Sequence, residues 1–490
     1  MQKKMSNIAA PKQNNMRKTF FALLMAFIAA GAQAKVKLPH LISDNMVLQQ
    51  QTEAKLWGWD KAGRKVKITT SWNNRTYTAI TGKDGRWQVK VKTPEASFDP
   101  LRISFDDGDG MVTVNNILAG EVWVCAGQSN MEMPVKGFGN CPVDNYNKEV
   151  LDASGSKGIR SVKIPSTMST TPLDDAPCEW RQCNAQTVAG FSATGYFFAR
   201  IVSRALNIPV GLIEANKGGT RVESWLDREN LTRYTQENLD SAEMKNKFKW
   251  QFHYPLLWGN GTFHPILNYT VKGILYYQGC SNVGDPAGQY AERLKMLAEQ
   301  WRRDFGQGEL PFYFVEIAPY YYDNVAGDGG AKLREQQFAA SRIIPNSALV
   351  CTNDCVYPYE TQQIHPAQKQ KVGERLGLVA LNKQYGMKQL ICESPSFRGM
   401  TIKNDTAFVQ LDGLADGISR YEDLQGFEMA GEDRVFHKAN GYYYWTKGII
   451  LTCPEVKKPV AVRYCFRNFQ LGNVANMGGL PLFPFRTDNW

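Results

Sequence analysis

From residue 36 to about 115, apolar and polar positions alternate in short runs. Val66-Ile68, Tyr77–Ile80 and Trp87-Val89-Val91 carry that period of two, with the turn pair Asp84-Gly85 between the last two runs. The pattern predicts antiparallel strands and a small β-sandwich-like domain over 35–117, the first of two such domains that flank the chain's centre. The rhythm changes near residue 120. Glu121–Ala126 is a short apolar run suited to a buried parallel strand. Gly195–Leu206 then repeats apolar residues at helical spacing, and Ile208–Glu214 reads as a strand. The alternation continues with a strand at Val271–Tyr277 and a helix marked by Tyr290, Leu294, Leu297, Trp301 and Phe305. A strand at Pro311–Ile317, a helix from Leu333 to Ile343, a strand at Ala348–Cys351 and a helix through Val372, Leu376 and Val379 complete it. Such alternation predicts an α/β domain over 118–392, a three-layer arrangement with a parallel sheet covered on both faces. Residues 220–265 break the rhythm and read as an insertion or excursion. From about residue 395 strands return at Phe408–Gln410, Tyr442–Trp445, Ile449–Leu451 and Ala461–Tyr464, predicting a second β domain over 393–490.

The first 34 residues lie outside this scheme. Arg17-Lys18 precedes the apolar run Thr19–Ala30, and Ala32-Gln33-Ala34 follows as a small-x-small cleavage site. That order is a secretory signal, with Lys35 the first residue of the mature chain and Met16 a more usual start than Met1. The run is too short to span a bilayer, and no other stretch approaches 18 apolar residues. The sequence therefore predicts an exported protein, periplasmic or extracellular, with no membrane span.

Removal of this segment also changes the charge. The full chain carries +10; its first 34 residues hold five basic residues and no acid, so 52 basic residues remain against 47 acidic, or +5. No run of Lys and Arg forms a nucleic-acid footprint, which excludes that class. The 490 residues allow about three domains, and 43% apolar with 21% charged residues describes a globular chain. Aromatics reach 12%; they suit sugar stacking, but β-rich cores use the same residues, and the core explains most of them. Export permits disulfides among the ten Cys, with Cys178/Cys183 and Cys351/Cys355 near in sequence. No CxxC or HExxH occurs, so no zinc site is expected. No feature of the chain specifies an oligomeric state.

In an open parallel sheet, ligands bind beyond the carboxyl ends of the strands. After Glu121–Ala126 comes Gly127-Gln128-Ser129-Asn130-Met131. A Gly past a strand permits a sharp turn, and a Ser opening the next helix offers a nucleophile and a backbone N–H together; a plain N-cap Ser reads equally well locally. Gly218-Gly219-Thr220 follows the next strand, where glycine N–H groups could approach an oxyanion or simply make a turn. Gln278-Gly279-Cys280-Ser281-Asn282 follows Val271–Tyr277, offering a side-chain amide or a turn-forming Asn. His365 precedes Pro366 just before the final helix, which predicts Pro366 at N1 and His365 near the N-cap. It is the one His of five in that position after the last strand, which makes it the candidate base.

Taken in order, these blocks resemble those of the sialate O-acetylesterases, a branch of the Ser-Gly-Asn-His hydrolase superfamily. Gly127–Met131 is similar to the family's nucleophile block, Gly218-Gly219-Thr220 with Glu223 and Trp225 to its glycine block, and Tyr277–Asn282 to its asparagine block. Ile364-His365-Pro366 with Lys369, Val372-Gly373 and Arg375-Leu376 is similar to its histidine block. Leu41–Gln49, Leu56–Trp59 and Pro484–Asp488 resemble its flanks. The resemblance implies an esterase that deacetylates O-acetylated sialic acids, with Ser129 as nucleophile and His365 as base. It implies an oxyanion hole from Ser129, Gly219 and Asn282, and no metal or organic cofactor. Gln128, Arg221 and Gln278 are candidates for substrate binding, Arg221 as the cation for a sialate carboxylate.

Two positions depart from that pattern. Gln363 stands where the family often has Asp, two residues before the His. Asp354 or Glu360 is the expected replacement, with a Ser/His dyad as the alternative. Cys280 stands where the family often has Glu, and packing or a disulfide accounts for it better than a thiolate nucleophile. Two other functions share these features: the same chemistry on acetylated xylan or another polysaccharide, and a glycan-binding protein whose esterase domain has lost activity.

Overall fold

The structure is a computed structural model and describes residues 36–235, 238–414 and 417–490. Residues 1–34, expected as a secretory signal, lie outside the described residues. The chain divides into two compact units.

The first unit comprises Trp57–Val89 and Ile103–Thr113 together with residues 36–38. Its strand Lys65–Thr70 alternates exposed and buried positions, sending Val66, Ile68 and Thr70 inward. It pairs antiparallel with Thr76–Ile80 and, through Lys67–Thr70, with Ile103–Asp106. Trp87 and Phe105 meet in its core at 5.8 Å. Asp84-Gly85 makes the expected turn, with Gly85 at φ +77°.

The second unit comprises Pro39–Leu56, Lys90–Arg102 and Val114–Trp490. The stretch expected as one N-terminal domain is therefore divided. Val47–Gln49, for instance, pairs in parallel with Leu118–Gly120. Local alternation reports strands but not the sheet each one joins.

The central sheet uses β1 (Met111–Gly127), β2 (Ile159–Lys163), β3 (Trp180–Gln182), β4 (Val210–Asn216), β5 (Gly273–Tyr277), β6 (Phe312–Val315) and β7 (Ser347–Val350). Among the described residues its order is β7-β6-β5-β1-β4-β2-β3. Every pairing is parallel except β2 with the edge strand β3. The pattern did not reveal β2 and β3, which are short and lack long apolar runs.

Helices cover both faces, as buried parallel strands require. On one face α2 (Ala193–Leu206) and α5 (Lys369–Lys383) share a core with Trp123, Cys125, Leu275 and Tyr277. On the other, α3 (Gln289–Phe305) sets Trp301 against Tyr276 and Phe312, and Phe263 stacks on Trp301 at 3.8 Å. Successive residues of β5 thus face opposite layers. The stretch 220–265 forms short helical turns rather than strands among its described residues.

The C-terminal region holds two four-stranded antiparallel sheets. Val409, Leu411, Phe427, Met429, Leu451 and Tyr464 fill their shared core. Buried Arg334, on α4 (Gly329–Ile343), ties this region to the sheet domain by donating to the carbonyls of Cys465 and Arg467. All ten cysteines are free. Cys178/Cys183 and Cys351/Cys355 are therefore unpaired: Cys183, Cys351 and Cys355 are buried thiols and Cys178 is half-buried.

No helix among the described residues is long and apolar enough to cross a membrane.

Candidate active site

The site grows from the central strand. β1 ends at Gly127, whose φ is +135°. A Cβ there would lie 2.2 Å from the carbonyl oxygen of Tyr277 on β5. Only glycine lets the two strand ends approach so closely. The chain then turns into the one-turn helix α1 (Ser129–Glu132), and Ser129 is its first residue. Position N1 leaves the Ser129 N–H without an intrahelical acceptor.

His365 comes from the loop between β7 and α5. Its Nε2 lies 2.8 Å from Ser129 Oγ. The helix starts at Lys369, with Gln368 as N-cap, so Pro366 is not at N1 and His365 lies three residues before the cap. A carboxylate explains this difference. Glu360 accepts the Ala367 N–H (3.0 Å) and the Tyr357 N–H (2.8 Å), folding residues 357–367 into a closed loop ahead of the helix. Asn130 binds this loop to α1 by donating to the Ile364 carbonyl at 3.0 Å.

Among the described residues no carboxylate contacts the other ring nitrogen of His365. Glu360 is occupied as just described. Asp354 forms a two-point pair with Arg375 at 2.6 and 2.7 Å. Burial raises the Asp354 pKa, but Arg375 and Lys371 outweigh it and hold the carboxyl below its usual range. His365 Nδ1 instead faces the thiol of Cys141 at 3.7 Å, and that thiol donates to Gln363 Oε1 at 3.0 Å. Phe138 meets the imidazole edge-on at 5.1 Å. A sequence reading that looks for an acid passes over Cys141 and Phe138, because more than 200 residues separate them from the histidine.

Burial, together with the charge of Lys369, pushes the His365 pKa down to about 4. Lys369 is itself buried, which brings its own pKa down to about 8. A base that must be neutral is thus ready at all ordinary pH values. Activity should hold level through pH 5–6 and fall only as the pH drops through about 4. An acid limb of the kcat/KM profile near 6.5, the ordinary imidazole value, would contradict this.

The glycine loop after β4 is fastened from both sides. Ser281 Oγ donates to the Gly219 carbonyl at 2.8 Å. Gln128 Nε2 and Gln278 Nε2 both donate to the Thr220 carbonyl. Gln128 Oε1 in turn accepts the N–H groups of Gly279 and Cys280. Both glutamines are buried and engaged as braces between loops rather than presented to a substrate. Gly218 N–H donates to Glu132 Oε2 at 2.8 Å, whereas Gly219 N–H has no protein acceptor among the described residues. Glu132 went unnoticed in the sequence, although it lies three residues after Ser129 on the same helical turn.

Asn282 takes a different part from the one expected. Its amide donates to Glu223 at 3.0 Å and Asp285 at 2.8 Å, and its oxygen accepts from Val222 N–H and Gln278. It is fully buried. Arg293 and Arg221 complete the cluster, Arg221 at 3.4 Å from Glu223 and 3.5 Å from Asp285. Arg221 is therefore a member of a part-buried ion network. Burial pushes the Cys280 thiol up to about 11, which keeps it protonated.

Residues 119–382 match the family described as carbohydrate esterase, sialic acid-specific acetylesterase. The chain is similar to a sialate O-acetylesterase of Rattus norvegicus, 28% identical over 429 residues, 76% of this chain and 78% of that protein. A sialate O-acetylesterase of Homo sapiens is 27% identical over 384 residues, 72% of each. Among solved structures it resembles a carbohydrate acetylesterase from Xanthomonas citri, with a TM-score of 0.82 at 28% identity, covering 93% of this chain and 100% of that one. The matched segment runs from β1 to the last turn of α5 and so contains both Ser129 and His365; the chain belongs to the sialic acid-specific acetylesterase family of carbohydrate esterases.

Proposed function

We propose that this chain is an exported serine esterase that removes O-acetyl groups from sialic acids. The observation that carries the reading is the 2.8 Å approach of His365 Nε2 to Ser129 Oγ at the carboxyl edge of the sheet. In this scheme Ser129 Oγ attacks the acetyl carbonyl while His365 Nε2 takes its proton. The N–H groups of Ser129 and Gly219 receive the oxyanion. Collapse of the tetrahedral intermediate breaks the ester bond to the sugar, and His365 returns its proton to the departing sugar oxygen. His365 then draws a proton from water as that water attacks the acetyl-enzyme, and returns it to Ser129 Oγ as the intermediate collapses to acetate and free enzyme. Two backbone donors suffice here because Asn282 is committed to Glu223 and Asp285.

The Nδ1 side works without a carboxylate. With Nδ1–H directed at Cys141 and the thiol directed at Gln363, the ring keeps the tautomer that leaves Nε2 free to accept. This arrangement fits the dyad alternative rather than a replacement acid.

One observation favours a second substrate. Arg221, the cation suggested for a sialate carboxylate, lies between Glu223 and Asp285. That charge balance suits a neutral acetylated sugar such as those of xylan. Acetate release from 9-O-acetylated sialoglycan and from acetylated xylan, run in parallel, separates the two. Turnover of the sialoglycan supports the first reading, turnover of xylan alone replaces the substrate, and binding without turnover of either returns the chain to a glycan-binding role.

A further inference from the structure

Beside the glycine that faces the reacting acyl group lies an aromatic pair with no role in the chemistry above. Gly219 has φ +81°, and a Cβ on it would fall 2.5–2.9 Å from ring carbons of Phe252. The Phe252 ring therefore rests directly on the backbone of the glycine. Gly218, one residue earlier, lies against Ser129: a Cβ on it would be 3.3 Å from the Ser129 Cβ. Ser129, Gly218, Gly219 and Phe252 thus follow one another in contact.

Trp250 extends this surface outward. Its ring is stacked on Phe252 at 5.8 Å with an interplanar angle of 10°. His253 meets Phe252 edge-on at 4.8 Å. Phe252 is half-buried, whereas Trp250 is 49% exposed, far more than its area would lead one to expect of an ordinary packing residue. The Lys249 ammonium lies over the Trp250 ring at 4.9 Å. Lys249 is an exposed, flexible side chain that an incoming ring can displace. All four residues belong to the excursion at 220–265.

We propose that Trp250 and Phe252 form a pyranose-binding platform contiguous with the acyl site. The C–H face of the acetylated sugar stacks on Trp250, and Phe252 carries the surface to Gly219. An ester held this way presents its acetyl group at Ser129. Flat aromatic side chains with a few polar neighbours are the usual lining of small-molecule sites, and an exposed Trp is a common anchor at binding surfaces. This inference rests on the esterase reading and adds the residues that hold the sugar ring.

The test compares acetylated sugar with p-nitrophenyl acetate, which shares the acetyl group and lacks the pyranose. Trp250→Ala should lower the ratio of kcat/KM for acetylated sugar over aryl acetate about tenfold, mainly through KM. Trp250→Phe should recover most of the ratio, and Phe252→Leu should lower it in the same direction. A ratio within twofold of wild type in Trp250→Ala overturns the platform, as does a wild-type enzyme that hydrolyses aryl acetate but neither 9-O-acetylated sialic acid nor acetylated xylo-oligosaccharide. Ser129→Ala, run alongside, reports on the hydrolase reading separately: retained turnover there defeats that reading whatever the ratio does.

Discussion

Replacing Ser129 by Ala should reduce acetate release by about 10⁴-fold or more, with the fold intact. The side chain is small and sits at a helix start, so its loss removes one hydroxyl and leaves Gly127, the β1–β5 contact and the Gln128 brace in place. What disappears is the only hydroxyl within hydrogen-bond reach of His365 among the described residues. The residual rate comes from the oxyanion donors and from binding, which the substitution does not touch. Initial rates of acetate formation, with circular dichroism to verify the fold, measure this. A variant within tenfold of wild type would mean that another group receives the acetyl, or that water attacks directly.

His365→Ala should cost nearly as much, and the double variant should be no slower than the slower single one. Nucleophile and base act as one unit, so removing either disables the other, and the two losses do not add. Additive losses in the double variant would show that Ser129 and His365 serve separate steps. The cost is large even though the ring lacks a carboxylate partner. Cys141 and Gln363 orient the imidazole but do not neutralise the imidazolium formed in the transition state, and buried Lys369 opposes it. On the proposed mechanism the chain would rely on alignment and on the two backbone donors more than a triad with a buried Asp does.

The parts of the fold legible in the sequence were those with long, strongly periodic elements. α2, α3 and α5 repeat buried apolar residues at helical spacing, and the strands on either side of α3, Gly273–Tyr277 and Phe312–Val315, are continuous apolar runs. Their order alone put Ser129 and His365 at the same edge of the sheet, because successive parallel strands all end on one side. β2 and β3 escaped notice since Ile159–Lys163 mixes charge into five residues and Trp180–Gln182 has only three. The start of α5 differs from the expected one because Pro366 gives a local N1 signal, whereas Glu360 closes the loop ahead of the helix.

The candidate site was legible where chemistry is local and hidden where it is long-range. Gly127, Ser129 and Gly219 announce themselves by a turn after a strand. Glu360 and Asp354 were sensible guesses from proximity in sequence, yet each has nearer partners in space: backbone N–H groups for Glu360 and Arg375 for Asp354. Asn282 and the two glutamines carry the right functional groups, and only the hydrogen-bond network reveals that those groups are already used. Cys141 reaches His365 through a loop packed far from it in sequence, which no pattern of spacing encodes.

The most direct test of Ser129 as the acyl acceptor is to treat the enzyme with a fluorophosphonate and map the adduct by peptide mass spectrometry. One adduct per chain on the peptide containing Ser129, absent in His365→Ala, is the predicted result. Inactivation with the adduct on any other residue, or with Ser129 unmodified, would contradict it.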